Sequence, residues 1–223
     1  MLRDVTFSVG REETICVLGR SGTGKSVALK LMIALIKPEA GHVWIDSEDI
    51  TQLKGQELSR VRRKMGFLFQ NAALFDFLNL HDNLALPLRR LTEKSDQEIE
   101  EIIDDVLHRV GLSGDREKMP AALSGGMKKR AGLARALTLE PQILLVDEPS
   151  SGLDRITAGE IDDLLLEQKS HTTMIIVTHD VHGARRVGDN FAVLDRGNLV
   201  ALGKAQDLED HESETVRRLI TEQ

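Results

Sequence analysis

Three glycines and three hydroxyl residues surround one lysine in Gly19-Arg20-Ser21-Gly22-Thr23-Gly24-Lys25-Ser26, the densest chemistry in the chain. Glycines free the backbone N–H groups to cradle phosphate oxygens, Lys25 reaches the outer phosphates, and the Ser26 hydroxyl can ligand Mg²⁺. Alone, this P-loop pattern says only that a nucleotide binds. Downstream stand Gln70, then Leu123-Ser124-Gly125-Gly126-Met127, then Ile143-Leu144-Leu145-Val146-Asp147-Glu148, then Ser151-Gly152-Leu153-Asp154, and finally Thr178-His179-Asp180. Four apolar residues bury a strand and deliver Asp147 to its carboxyl end, where open α/β sheets bind ligands, so Asp147 is expected to hold Mg²⁺ directly or through water. Phosphoryl transfer to water requires charge neutralisation and a positioned nucleophile, with little covalent chemistry from the protein. Glu148, beside Pro149, reads either as the acid that handles that water or as a carboxylate satisfying N–H groups at a helix start. His179 and His182 have a spacing tolerable for a metal, but no third ligand accompanies them.

The elements that must hold these groups are readable around them. Residues 14–18 form a short buried strand, and the glycine loop feeds a helix over about 25–36, stopped by Pro38. The helix N-terminus turns unpaired N–H groups and partial positive charge toward the phosphates. Ser124-Gly125-Gly126 precedes a helix beginning near Met127 and offers a second such terminus. Apolar runs at 143–146, 174–177 and 191–194 read as further strands separated by helices, the alternation of a mostly parallel sheet. Between about 75 and 140 the pattern turns helical. Ser95-Asp96-Gln97-Glu98 is a capping box, and Ile99, Ile102, Ile103, Val106, Leu107 and Val110 follow at helical spacing as far as Gly111. The acidic face Glu100, Glu101, Asp104 and Asp105 reads as solvated surface. Leu74, Phe75, Phe77, Leu78 and Leu80 read mostly as core, with some available to line a groove for a partner's helix. Residues 212–220 read as a surface helix whose Val216, Leu219 and Ile220 pack on the core or on a partner.

The 223 residues, 41% hydrophobic, suffice for one large domain with an inserted subdomain. Twenty-nine basic against 36 acidic residues give a net charge of −7, which argues against a protein that grips nucleic acid through its phosphates. Cys16 is the single cysteine, in an apolar run, and reads as a small buried hydrophobe in a reducing compartment. No apolar run approaches the roughly 20 residues needed to span a bilayer, so a membrane role would act through a partner.

In order and identity these motifs resemble the nucleotide-binding domain of ATP-binding-cassette (ABC) proteins, from the first residues nearly to the last. The resemblance implies an α/β P-loop NTPase: a RecA-like, mostly parallel sheet core in a single domain over 1–223, with a helical subdomain inserted at 75–140. It implies ATP hydrolysis, with Glu148 polarising the attacking water, His179 contacting the γ-phosphate, and Gln70 sensing Mg²⁺ and joining core to subdomain. Gly19, Arg20, Ser21, Gly22, Thr23, Gly24, Lys25 and Ser26 would hold ATP, and Ser26, Gln70 and Asp147 its Mg²⁺. Ser124, Gly125 and Gly126 would close over the nucleotide of a second subunit, and Asp154 would lie on the loop crossing that interface. A homodimer with two composite sites follows, held by an integral membrane permease on the cytoplasmic face of the inner cell membrane.

Met127 stands where the common signature has Gln. With Ala72-Ala73-Leu74-Phe75-Asp76 and Asp82-Asn83-Leu84-Ala85-Leu86-Pro87-Leu88, it resembles the ATPases of Mce/Mla-type phospholipid transporters, which implies an Mce-domain partner. An importer of amino acids or another small solute is the alternative. ABC domains usually stack adenine on an aromatic located before the first residues here. Leu2-Arg3-Asp4-Val5-Thr6-Phe7 resembles the strand that follows that segment, the chain looks shortened there, and it has no Tyr. Loss of such a contact would weaken adenine binding by roughly 0.5 to 1.5 kcal/mol.

Overall fold

The computed structural model describes residues 2–221. Six strands form the main sheet: β1 (Thr14–Leu18), β4 (Met65–Leu68), β5 (Ile143–Asp147), β6 (Thr173–Thr178), β7 (Asn190–Asp195) and β8 (Asn198–Gly203). Their spatial order is β4-β5-β6-β1-β7-β8, parallel except for the last pair. A two-stranded ribbon, β2 (Trp44–Ile45) and β3 (Glu48–Asp49), stands apart. The helices are α1 (Lys25–Met32), α2 (Gly55–Arg62), α3 (Leu80–Leu91), α4 (Asp96–Arg109), α5 (Gly125–Leu137), α6 (Arg155–Gln168), α7 (Val181–Val187), α8 (Ala205–Glu209) and α9 (Glu214–Thr221).

The continuous apolar runs of β1, β5, β6 and β7 are explained by burial of both sheet faces. Cys16, Leu144, Val146, Ile176 and Phe191 point to a core completed by Leu133 and Leu137 of α5, Ile161 and Leu165 of α6, Ala184 and Val187 of α7, and Val216 and Ile220 of α9. The alternating residues Ile15, Val17, Leu145, Ile175 and Val177 face a second core with Leu29 of α1 and Val61 of α2. A third cluster joins Leu80, Leu84 and Leu88 of α3, Ile99, Ile103, Val106 and Leu107 of α4, and Ala131 and Ala134 of α5. Thus α5 serves two cores from different faces.

Because β1, β4, β5 and β6 are parallel, their carboxyl ends share one edge. Onto that edge open the loop before α1, residue 70 after β4, Asp147 at the end of β5 with Glu148 after it, and His179 after β6.

Several boundaries differ from the sequence reading. The first helix ends at Met32, with Ala34 in the left-handed region, so the chain turns before Pro38 is reached. Residues 2–10 form no strand. Arg3 N–H donates to Gly197 O, while Leu2, Val5, Phe7 and Val9 pack on the second core. The capping box of α4 is complete, but Glu100 is half-buried, ion-paired with Arg116 and hydrogen-bonded to His81, rather than merely solvated. The C-terminal helix is core: Val216 and Ile220 are fully buried.

One buried charge strains the junction of α6 and α7. Asp162, 5% exposed, and Asp180, the N-cap of α7, both press their carboxylates against Gly183, where a Cβ would meet them at 3.0 Å. Burial, and next the Asp180 charge, push the Asp162 carboxyl up to about 6, against the opposing pull of Arg186 and His182. An acid with a raised folded pKa is stabilising while protonated. Its contribution is fully present below the ordinary carboxylate pKa of 3.8 and is lost as pH rises through about 6. Asp162→Asn should therefore raise the melting temperature at pH 7.5 by several degrees, a gain of about 2 kcal/mol, and lose that advantage near pH 4. Thermal unfolding followed by circular dichroism across this range checks the sign.

Candidate active site

Gly19 leaves β1 at a point where no side chain fits: a Cβ would lie 2.5 Å from the Leu194 carbonyl oxygen and 2.7 Å from Thr23 Oγ1. The loop then closes on itself, with Thr23 Oγ1 donating to Arg20 O at 2.9 Å. Gly24, at φ 106°, caps α1 in the left-handed region open to glycine. The exposed loop backbone over Arg20–Gly22, with Asp195, Arg196 and Thr215, borders a cavity of about 320 Å³.

Lys25 is 7% exposed and ties three elements together. Its Nζ donates to Gly19 O at 2.8 Å and Arg20 O at 3.3 Å, and lies 3.4 Å from Glu148 Oε1. Glu148 is 8% exposed, and its backbone is left-handed at φ 49°, a conformation that costs a non-glycine residue about 1–3 kcal/mol and so concentrates at functional sites. That twist aims Oε2 at His179, whose Nδ1 lies 2.7 Å away and whose backbone N–H donates to it at 3.3 Å. The imidazole is otherwise open to solvent.

Ser26 Oγ donates to Asp147 Oδ1 at 2.8 Å. A hydroxyl and a carboxylate, both hard oxygen donors beside the phosphate cradle, are the donor set Mg²⁺ takes together with phosphate oxygens. Burial, reinforced by Glu148, raises the Asp147 carboxyl above the usual range, and the Ser26 hydroxyl, Lys30 and Lys129 oppose it. A divalent cation there would hold it ionised.

Lys129 is the member that sequence reasoning missed. Nearly buried on α5, it donates to the Glu148 carbonyl oxygen at 2.6 Å and so holds the left-handed turn. Burial lowers its pKa, against the attraction of Glu148 and Asp147. Its signal was helical spacing: Gly126, Lys129, Gly132, Leu133, Ala136 and Leu137 share the buried side of α5.

The remaining expected residues stand apart from this cluster. Gln70 lies exposed two residues past β4. Ser124 caps α5, accepting from Met127 N–H at 3.3 Å, so the helix begins at Gly125 rather than Met127. Gly126 is required by packing, since a Cβ would meet Thr157 Cγ2 at 2.4 Å. Asp154 is spent capping α6, accepting from Ile156 N–H, Thr157 N–H and Thr157 Oγ1. Among the described residues no hydrogen bond or ion pair joins Ser124, Gly125, Gly126 or Asp154 to residues 19–26.

Fold and site together define a P-loop nucleotide-binding domain whose glycine loop, acid pair and histidine meet at one sheet edge. The ABC transporter family model matches residues 2–151, and the chain belongs to that family. It is 46% identical over 219 residues to the probable ribonucleotide transport ATP-binding protein mkl of Mycobacterium leprae, covering 97% of this chain and 63% of that protein's length. It is 38% identical over 224 residues to methionine import ATP-binding protein MetN 1 of Pseudomonas savastanoi pv. phaseolicola, covering 99% and 67%. Among solved structures it resembles the dimeric post-hydrolysis state of the ATP-binding cassette MJ0796 bound to ADP and Pi, with TM-score 0.85, 33% identity, and 91% and 90% of the two chains covered. It also resembles cbiO1 from Clostridium perfringens, part of the ABC transporter complex cbiONQ, with TM-score 0.84, 28% identity and coverage of 98% and 87%.

The tight approach at residue 19 generates a direct test. Gly19→Ala should destabilise the chain by about 1–3 kcal/mol, because the Leu194 carbonyl cannot retreat without opening the sheet. Urea unfolding at neutral pH measures it.

Proposed function

We propose that the chain is the ATP-binding and ATP-hydrolysing subunit of an ABC transporter, working as a homodimer that drives a partner permease. The observation that carries this reading is the meeting of buried Lys25 and Glu148 with the exposed His179 beside the Ser26–Asp147 pair. Triphosphate oxygens entering the loop compete with the Gly19 and Arg20 carbonyls and with Glu148 for Lys25. Lys25 then neutralises the phosphates, and Glu148, freed on one oxygen and still steered by His179 on the other, accepts the proton of the attacking water. Ser26 and Asp147 would hold Mg²⁺, which when bound supplies charge neutralisation at the outer phosphates. Gln70, at the rim, is placed by this reading beside the same phosphates.

The separation of Ser124–Gly126 from residues 19–26 within one chain supports the composite site, since the second phosphate-facing helix terminus must come from another copy. Ile156, 80% exposed in the first turn of α6, supports a face covered in the dimer. Residues 75–140 read as the subdomain carrying that terminus, consistent with the separate core of α3, α4 and α5. Phe75 and Phe77, 41% and 76% exposed, are surface rather than core and suit a groove for a permease helix. Among the described residues no helix is long and apolar enough to cross a membrane. In this reading the permease holds the chain at the cytoplasmic face of the inner membrane.

For the cargo, Met127 and the segments 72–76 and 82–88 favour phospholipids, with an Mce-domain protein completing the path. The methionine-import relative favours the second reading, an importer of amino acids or another small solute. Purifying the chain with its membrane partner and measuring ATP turnover against phospholipid-loaded and amino-acid-loaded complexes separates the two.

Glu148→Gln should lower turnover by about 10²- to 10⁴-fold while leaving ATP binding intact, at an affinity no weaker than wild type because the competitor for Lys25 has lost its charge. A variant with wild-type turnover would remove Glu148 from the chemistry. Turnover per wild-type chain should rise with protein concentration and then level off, and a rate independent of concentration would exclude the two-copy site.

A further inference from the structure

The turn after Gln70 is the most strained stretch of non-glycine backbone in the candidate site, and one side chain holds it. Ala72 and Ala73 are both left-handed, at φ 58° and 51°, in succession. Arg135 of α5 donates from Nη1 to Ala73 O at 2.7 Å and from Nη2 to Ala72 O at 3.1 Å. Its Cζ also lies 5.9 Å from the centre of the Phe75 ring. Among the described residues no carboxylate pairs with Arg135. Its charge is spent on these two carbonyls and the ring. Helix and turn are in intimate contact, for a Cβ on Gly132 would meet Ala72 Cβ at 2.8 Å.

The far end of the same segment is held from α3. Asn83, fully buried, accepts from Phe75 N–H at 2.8 Å and donates to Phe75 O, Leu78 O and Asn79 O. Residues 70–79 are therefore clamped at both ends, by Arg135 and by Asn83, with Gln70 emerging on one side and the exposed Phe75 and Phe77 on the other.

We propose that Arg135 is a positioning residue for hydrolysis: its guanidinium fork forces the Ala72–Ala73 turn and makes Gln70, Phe75 and Phe77 one rigid unit attached to α5. The inference rests on the proposed ATPase function. A displacement of Phe75 or Phe77 by a partner is then delivered to Gln70 without loss in a slack loop, and to Ser124 through α5. Lysine cannot replace the fork, because its compact ammonium lacks the planar pair of donors that grips two carbonyls at once.

The test compares wild type, Arg135→Lys, Ala72→Gly with Ala73→Gly, and all three changes together. Arg135→Lys should keep its melting temperature and its KM for ATP, lose about ten- to a hundredfold in kcat, and exchange amide hydrogens faster over residues 70–75. Glycines adopt the left-handed turn without the clamp, so the triple variant should regain most of that kcat. If Arg135→Lys fails to fold, the triple variant is compared with the double-glycine chain, and equal kcat upholds the proposal. Parental kcat and exchange in Arg135→Lys would overturn it, as would a kcat loss that the glycines do not restore. Absence of ATP hydrolysis in the wild type would sink the functional reading instead, leaving amide exchange to judge the clamp.

Discussion

The contact between Lys25 and Glu148 is the constraint around which the rest of this domain is organised. Two opposite charges, each less than a tenth exposed, can sit at the sheet edge only because each is also hydrogen-bonded: Lys25 to two loop carbonyls, Glu148 to His179. Removing one partner from such a pair leaves an uncompensated buried charge, a penalty of about 3–5 kcal/mol. The same arrangement keeps Lys25 and Glu148 largely out of water beside the glycine loop, where the proposed function brings the phosphates. Asp147 and Lys129 extend the cluster, so that two acids and two lysines balance one another.

The sheet exists to bring these groups together. Parallel strands with both faces buried force four loops onto a single edge, and they do so with side chains that carry no chemistry of their own. The helix α5 adds the second constraint. One side packs on the sheet, another on α3 and α4, and between them Lys129 and Arg135 reach backbone carbonyls of two different functional loops. Small residues at 126 and 132 are what allow that helix to come so close. The Glu148 and Ala72–Ala73 turns are each held left-handed by a cation from α5, so strain and its compensation are paired in both places.

Much of this was legible in the sequence because it is local. Strand cores at 14–18 and 143–147, the capping box at Ser95, and the glycine loop all announce themselves by periodicity or by residue types in short windows. The position of Asp147 and Glu148 at the carboxyl end of a buried strand was legible from the apolar run before them, while the role of Glu148 came from the family resemblance alone. What escaped were contacts across long stretches of chain, such as Lys129 with Glu148 and Arg135 with Ala72, where a basic residue on a helix looks like any solvated lysine or arginine. Their burial could be suspected only from their phase on α5. Positive φ at Ala34, Ala72 and Ala73 was equally hidden, since alanine normally favours helix and gives no turn signal. The exposure of Phe75 and Phe77 was only half legible: the apolar run read mostly as core with some residues left for a groove, and composition does not say which, whereas both rings are exposed beside the backbone that Asn83 holds.

The most direct measurement is the structure of the chain crystallised with Mg²⁺ and a non-hydrolysable ATP analogue. This account predicts that Lys25 Nζ leaves its 3.4 Å contact with Glu148 Oε1 to bind the outer phosphates, while Glu148 keeps its bond to His179 and faces a water. Nucleotide bound in the glycine loop with Lys25 still seated on Glu148 would contradict it.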